Sequence, residues 1–577
     1  MQQNITIDYL NFEYYFKRYN LKIMLKLSTL IILQMIILAS TSQAQVWKWA
    51  NSLGSENTST SIKTIKPHAG SNLLMCGSFA APSLVLGSQT VSNYGQDDAF
   101  LAITDAEGQY SWATSFGGAN NESIVDVASH SGGEFVAIGN FSSIFLTIGD
   151  TTIANSGESD AFIVKFNADK SIAWTKKIGS TEIEEMKSVR MDESGNTYVS
   201  GQVINKFTLS TIHVFVRKYS SDGSLLWQQI GPSEGSYPQI SGLALDENAN
   251  VYLCGGIMGT ITFENTVLTS SWPSAGFIVK FSSSGALLDT TMNFNFDKYN
   301  GIEIHQNNLY TCAEKINWGL GWGWPLSDSK ILVQKLDAEL NSIWSREAGG
   351  AEPVQSLDIA RSISVDNTGN AYLTGTYFSD TLEFAGQTML NPYNEDYYYP
   401  QIFVLKYSST GEEVWGKSLG GIHSEQSAAV YAFGNDQFYL AGNFESSPFT
   451  IGDFNLNNTS TLDSFYVHLR PARYGRKPMA FVSLYDIETS IQNSSNNSPK
   501  FNLWPNPTND LLWINCASAS SNTSVQITNA DGRLIQQSNF NNSSKEMLLD
   551  VSKISSGIYF ITVTTEAGNT TEKFVKY

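Results

Sequence analysis

Apolar and polar residues alternate along Asp160–Gly179 (D-A-F-I-V-K-F-N-A-D-K-S-I-A-W-T-K-K-I-G). Phe162, Val164 and Phe166 share one parity, a polar turn follows, and a second run carries Trp174 and stops at Gly179. Period-two patterning in aromatic and β-branched residues on both sides of a turn predicts an antiparallel hairpin. The phrase returns along the chain. Its third-strand run reappears at Phe277–Phe281 and Phe403–Tyr407, its turn glycine at Gly108, Gly223, Gly285 and Gly411. Its tryptophan recurs as Trp49, Trp112, Trp174, Trp227, Trp344 and Trp415, with Asp289 in the fifth place. An apolar strand ending in glycine lies between repeats (Gly77, Gly139, Gly201, Gly255, Gly375, Gly442), with Ala313 in the fifth unit. Four strands in each period of roughly 60 residues is the pattern of propeller blades.

Seven inner three-strand sets begin near residues 60, 122, 186, 240, 300, 360 and 427. No such set precedes the first tryptophan strand, Val46–Leu53, and no tryptophan strand follows the last set at Phe465–Leu469. Two raw sheet edges are a liability, and pairing these strands removes both. The pattern therefore predicts an all-β chain with a seven-bladed β-propeller over residues 45–475, closed by its N-terminal strand. Trp112, Trp174, Trp227, Trp344 and Trp415 are then docking residues buried where blades meet. The units resemble the seven-bladed propeller repeats of secreted bacterial proteins. The D-x-x-G-x-x-x-W phrase is similar to the tryptophan-docking motif of quinoprotein-type propellers. This resemblance covers about three quarters of the chain and is architectural.

The two ends read differently. Residues 1–44 comprise an N-terminal extension and a secretory signal: from Met24, Lys26 precedes the apolar run Leu27–Leu38, and Ser42-Gln43-Ala44 offers cleavage between Ala44 and Gln45. The run is too short for the roughly 20 residues that span a bilayer. Residues 476–500 form a polar linker (S-I-Q-N-S-S-N-N-S-P-K at its end). Residues 501–577 alternate as strands around a D-G turn, with no helix-forming window, and predict a small β-sandwich. They carry Trp504-Pro505-Asn506-Pro507-Thr508, Asp531-Gly532-Arg533, Gly557-Ile558-Tyr559 and Lys573-Phe574-Val575-Lys576. This segment resembles the type A sorting domain of the Bacteroidetes type IX secretion system, an Ig-like sandwich, with Trp504 where the family usually has Tyr. The resemblance implies that Pro505, Asn506, Pro507, Asp531, Gly532, Arg533, Gly557, Tyr559 and Lys573 make up the sorting signal. It also implies outer-membrane passage by the type IX machinery, then removal of the domain and release or surface attachment.

A formal net charge of -19 argues against nucleic acid and anionic membranes as partners. The four cysteines form no C-x-x-C or zinc spacing, so neither a structural metal nor a cofactor is expected. Cys76, Cys254 and Cys312 align ahead of the strand-ending glycine position; they pack as small apolar residues, with a Cys254–Cys312 bridge as the alternative. Gly231-Pro232-Ser233-Glu234-Gly235 matches G-x-S-x-G but lacks the following helix that a nucleophile elbow needs. His68, His130, Asp192, Asp246 and Asp366 share one turn position, which local turn chemistry explains better than a metal ring. The loops between second and third strands are aromatic in three neighbouring units: Trp272; Trp318, Trp322 and Trp324; Tyr393, Tyr397, Tyr398 and Tyr399. They form either a stacking platform for a glycan or protein ligand or a local core for long loops. The functional expectation is a monomeric, non-enzymatic binding or adhesion module. The alternative is an extracellular propeller enzyme, a polysaccharide hydrolase or lyase or a quinoprotein-like oxidoreductase.

Overall fold

The computed structural model describes residues 45–577 apart from 56, 206, 208–211, 234–235, 319–326, 351–357, 392–398, 461–462, 466–472, 488–500, 507, 517–522, 530–532, 541–545 and 566–567. Every described element is a strand or a turn. Two compact units emerge, Gln45–Ile487 and a C-terminal one from residue 488.

Among the described residues of the larger unit, seven four-stranded antiparallel sheets succeed one another along the chain. Their innermost strands are Thr60–His68, Glu122–Ser129, Ile183–Met191, Gln239–Leu245, Lys298–His305, Ile359–Val365 and Glu425–Gly434. In the first six, four consecutive main strands pair in order, outward from the innermost. The seventh is composite: Gln45–Leu53 is its outermost strand and pairs with Met479–Ile487. Short ribbons such as Phe145–Ile148 with Thr151–Ala154 fill the excursions between second and third strands.

The strand next to Gln45–Leu53 corrects the sequence expectation. The pattern puts Phe465–Leu469 there and leaves 479–487 wholly within the linker. Phe465 instead faces Arg473 in a two-stranded ribbon, and residues 466–469 lie outside the described residues. Asp463-Ser464-Phe465 begins like Asp160-Ala161-Phe162, so period two alone does not separate the candidates. What separates them is the second strand. Gly77, Gly139, Gly201, Gly255 and Gly375 each face a third-strand phenylalanine (Phe100, Phe162, Phe215, Phe277, Phe403), and Gly442 faces Phe481. A Cβ on Gly139 would stand 2.3 Å from the Ser123 carbonyl oxygen and 2.4 Å from Cζ of Phe162. Where the fifth sheet has Ala313, its partner is the smaller Leu332.

Apolar cores lie between consecutive sheets. Cys76, Leu101 and Phe116 of the first pack with Phe135, Phe162 and Phe166 of the second. Leu73, Met75 and Phe100 of the first also pack with Tyr439, Ala441 and Val482 of the seventh.

The tryptophans bridge these junctions from outside. Indole Nε1 of Trp49, Trp174, Trp227 and Trp344 donates to the carbonyls of Ala106, Ser221, Ser283 and Ser409, each in the outer turn of the next sheet (2.8, 3.0, 3.0 and 3.2 Å). The ring lies on the turn glycine: a Cβ at Gly411 (φ 81°) would be 2.7 Å from the Trp344 ring. Where the turn carries Leu340 at φ 63°, the tryptophan position is Asp289. Where it carries Lys170 at φ 70°, Trp112 packs edge-on to Phe135 and Phe166. Trp415 donates to Asp436 Oδ1 (2.6 Å). Only Trp344 is buried; Trp112, Trp174, Trp227 and Trp415 are half-buried, because an outermost strand has a neighbouring sheet on one flank and solvent on the other. The third-strand lysines add a second tie. Lys165, Lys218 and Lys335 reach the same turn carbonyls of Ser221, Ser283 and Ser409 at 3.2, 3.2 and 3.3 Å.

The C-terminal unit has a three-stranded sheet (Phe501–Trp504, Leu511–Cys516, Glu546–Asp550) and a four-stranded one (Leu534–Phe540, Thr523–Asn529, Gly557–Thr565, Gly568–Lys576). Leu512, Ile514 and Leu549 of the first share a core with Val525, Ile561 and Phe574 of the second.

Candidate functional site

Each innermost strand carries a register shift at an equivalent place, for example between Ile62 and Thr64, Met186 and Ser188, and Ala360 and Ser362, and Glu425–Gly434 carries a second one further along. A β-bulge of this kind inserts one residue and re-aims it. The inserted residues are Lys63, Val125, Lys187, Ser241, Asn300, Arg361 and Ala428, one per sheet, and all line a single cavity of about 430 Å³. Three residues further along their strands, Lys66, Arg190 and Glu303 line it too.

The charge in this cavity opposes that of the chain. Arg190 Nη1 donates to Asp126 Oδ2 at 3.1 Å, and Asp126 also receives Ser188 Oγ (3.0 Å) and the Val189 amide (2.9 Å). Lys187 pairs with Glu185, which lies off the cavity wall, at 2.8 Å. Burial, and then the Arg190 charge, hold the Lys66 ammonium below its usual pKa. Burial likewise pushes the Glu303 carboxyl up and the Arg361 guanidinium down. Sequence reasoning missed this group. Its available signal was basic residues recurring on the first strand of several repeats in an acidic chain.

Carboxylates also pair at the sheet junctions, away from the cavity. Asp98 and Glu122, and Asp160 and Glu184, are fully buried where one sheet's third strand meets the next sheet's first. They hold backbone rather than substrate: Asp98 receives the Tyr94 amide (2.5 Å), Glu122 the Ser143 amide (3.1 Å) and Asp160 the Ser156 amide (2.8 Å). Glu425 occupies the equivalent place in the seventh sheet, accepting from the Gly421 and Ser446 amides at 3.0 and 3.2 Å. Burial pushes its carboxyl from the usual 4.5 up to about 8. A folded-state pKa raised in this way means that the folded chain binds the proton more tightly than the unfolded one. Stability should therefore be fully present near pH 4.5 and fall as pH rises through about 8, by an amount on the order of 3–5 kcal/mol. Glu425→Gln keeps an acceptor and removes the charge. Denaturant unfolding at a series of pH values should show that loss flattened in the variant; parallel curves would refute the assignment.

The other sequence candidates separate. Tyr399 is buried, 5% exposed, and packs edge-on to His423 at 5.4 Å, so it offers no surface for stacking. Trp272 and Trp318 lie on the long hairpin strands Thr266–Phe281 and Asn308–Trp318. Trp322, Trp324, Tyr393, Tyr397 and Tyr398 lie outside the described residues. Ser233 is buried and its hydroxyl donates to the Ile212 carbonyl, with strand and not helix after it. Asp192, Asp246 and Asp366 each accept from an asparagine amide four residues on (2.9, 2.8 and 3.0 Å), as turn-formers do. Among the described residues no group of three or more His, Cys, Asp or Glu is placed to hold a metal. Cys76, Cys254 and Cys312 are buried free thiols. Ala44 lies outside the described residues, and Gln45 opens the strand that completes the seventh sheet.

In the C-terminal unit, Asn506 ties its loop to the last strand. Its Nδ2 donates to the Lys573 carbonyl and its Oδ1 accepts from the Val575 amide, both at 3.0 Å. Tyr559 is buried, bonds the Ser555 carbonyl at 2.8 Å and stacks on Phe574. Gly557 opens the same strand. Arg533 and Lys573 are exposed, and Trp504, 39% exposed, stacks on Trp513. Pro505 follows a cis peptide bond; Pro507, Asp531 and Gly532 lie outside the described residues.

Residues 502–577 match the family model described as a secretion system C-terminal sorting domain. The chain is therefore an exported protein, secreted or attached to the cell surface, and is handled by the type IX secretion machinery. A WD repeat-containing protein, L264, of Acanthamoeba polyphaga mimivirus is 19% identical over 474 residues. That match covers 73% of this chain, and the chain spans about a third (33%) of that relative. Among solved structures, a Dyadobacter fermentans protein of unknown function is similar at TM-score 0.36 and 7% identity, covering 77% of this chain and 98% of that one. Drosophila Semaphorin 2a is similar at TM-score 0.35 and 7% identity, covering 93% and 98%.

Proposed function

We propose that residues 45–487 are a seven-bladed β-propeller closed by the strand Gln45–Leu53, and that it works outside the cell as a monomeric binding module. In this reading residues 1–44 are a removed leader, and the C-terminal unit is an Ig-like β-sandwich that serves export. One observation carries the binding assignment: the innermost strand of each of the seven sheets contributes to the wall of one cavity. The cavity is the ligand site, and the ligand is a glycan or a protein segment. Binding is favoured over turnover by the acids available there. Asp126 is engaged by Arg190 and two strand donors, which leaves Glu303 without the second carboxylate that glycoside hydrolysis uses.

The full chain is to be run on a glycan array beside two variants. Ser241→Trp fills the cavity; Trp318→Ala/Trp322→Ala/Trp324→Ala removes the aromatic loop. Binding lost in the first and kept in the second supports the cavity. Loss only in the second would move the site to the aromatic loops, and turnover of a bound glycan would replace the binding module with an enzyme.

A further inference from the structure

We propose that the cavity binds a small multivalent oxyanion, held by Lys63, Lys187 and Arg361 at the bulges and by Lys66 and Arg190 beyond them. The inference rests on the cavity being the ligand site and adds the chemistry of the ligand. The chain as a whole has 35 Lys and Arg against 54 Asp and Glu. The cavity wall inverts that ratio, with these five cations against Asp126 and Glu303.

The inversion is built by backbone geometry. The same bulge recurs in all seven inner strands, and in three of them the residue it inserts is basic. Those three belong to the first, third and sixth sheets, which are not neighbours. An occupant with two or more anionic groups would engage more of these separated cations than a single anion would. Only part of this charge is matched within the protein: Arg190 has Asp126 and Lys187 has Glu185. Among the described residues, Lys63, Lys66 and Arg361 have no carboxylate in ion-pair contact. Burial first and the Arg190 charge second hold Lys66 below its usual pKa, against the pull of Asp126 and Glu303, and an anion beside it would favour the charged form. Low-dielectric walls also focus the field onto an entering anion. A space of about 430 Å³ suits a small ligand, such as a polycarboxylate, a phosphate or sulfate ester, or a short acidic sugar.

The test is calorimetric titration of the full chain with pyrophosphate, citrate, trigalacturonate and, as the uncharged control, maltotriose. At least one of the three anions should bind, and affinity should fall steeply as NaCl is raised from about 50 to about 500 mM. Two variants report on the site: Lys63→Ala/Arg361→Ala removes unmatched cations, and Val125→Glu adds an acid at an equivalent bulge. Each should weaken binding by about tenfold or more while leaving the circular dichroism spectrum unchanged. The anion that binds should raise the thermal midpoint of the parent more than that of either variant. Failure of all three anions, or equal affinity in parent and variants, would overturn the proposal. Maltotriose binding with no response to the anions would also overturn it, while leaving the binding module intact.

Discussion

Removal of residues 502–577 is expected to abolish delivery of the protein across the outer membrane. Truncated chain should collect in the periplasm, and essentially none should reach the surface or the medium. The expectation rests on the sorting-domain match over those residues. Asn506 fastens the Trp504–Thr508 loop to the terminal strand through the Lys573 carbonyl and the Val575 amide. The Thr508 amide continues the same seam to the Val575 carbonyl at 2.8 Å. Segments almost seventy residues apart in sequence are thus one surface, with Trp504 and Lys573 exposed on it. Fractionation and immunoblotting of cells making the truncated and full chains give the measurement. Undiminished surface protein in the truncated strain would remove the tail from its role.

Gly139→Ala is expected to be among the most damaging single-methyl substitutions in the larger unit, costing about 3 kcal/mol or more. The added carbon meets the Ser123 carbonyl on one side and the Phe162 ring on the other, both under 2.5 Å away. Neither neighbour is the free end of a flexible side chain. Phe162 stands among Phe116, Phe141 and Phe166, and Ser123 is fixed by strand pairing. The fifth sheet shows a way out, since Ala313 there faces Leu332. Phe162→Leu added to Gly139→Ala should recover about half of the loss, although Phe162→Leu alone is itself destabilising. Unfolding midpoints of the three variants decide it. A cost under about 1 kcal/mol for the single substitution, or strictly additive losses in the double, would contradict the steric account.

Repeating local order was legible in the chain; order that depends on a break in the repeat was not. Period two, the turn glycines and the spaced tryptophans place the inner strands close to where they lie. They also lead to the N-terminal strand completing the last sheet. The partner of that strand was missed because Asp463-Ser464-Phe465 and Ala480-Phe481-Val482 satisfy the same alternation. Only the match of Phe481 to Gly442, a tertiary fact, distinguishes them. The cavity was hidden for a related reason. A bulge flips the parity of every later position in its strand, so Lys63 and Lys66, odd and even, both reach one wall. Of the two uses an aromatic loop run offers, a stacking platform or a local core, Tyr399 takes the second, against His423.

The pairing of Gln45–Leu53 with Met479–Ile487 joins the first strand of the larger unit to its last. Until residue 487 has been made and delivered, the first strand has no partner, and the seventh sheet has nothing along one side. Leu53 of the first strand and Leu440 and Ala441 of Gln437–Phe444, buried in the finished sheet, are left without that cover meanwhile. Such a strand is open to any other extended chain nearby. The fold therefore has a built-in order of events: six sheets can mature as the chain emerges, and the last waits for both ends. A protease that clips the first nine residues of this unit would leave Met479–Ile487 as an uncovered outer edge. The protein would lose little mass, but it would gain a sticky flank, and self-association rather than simple unfolding is how such damage would show itself.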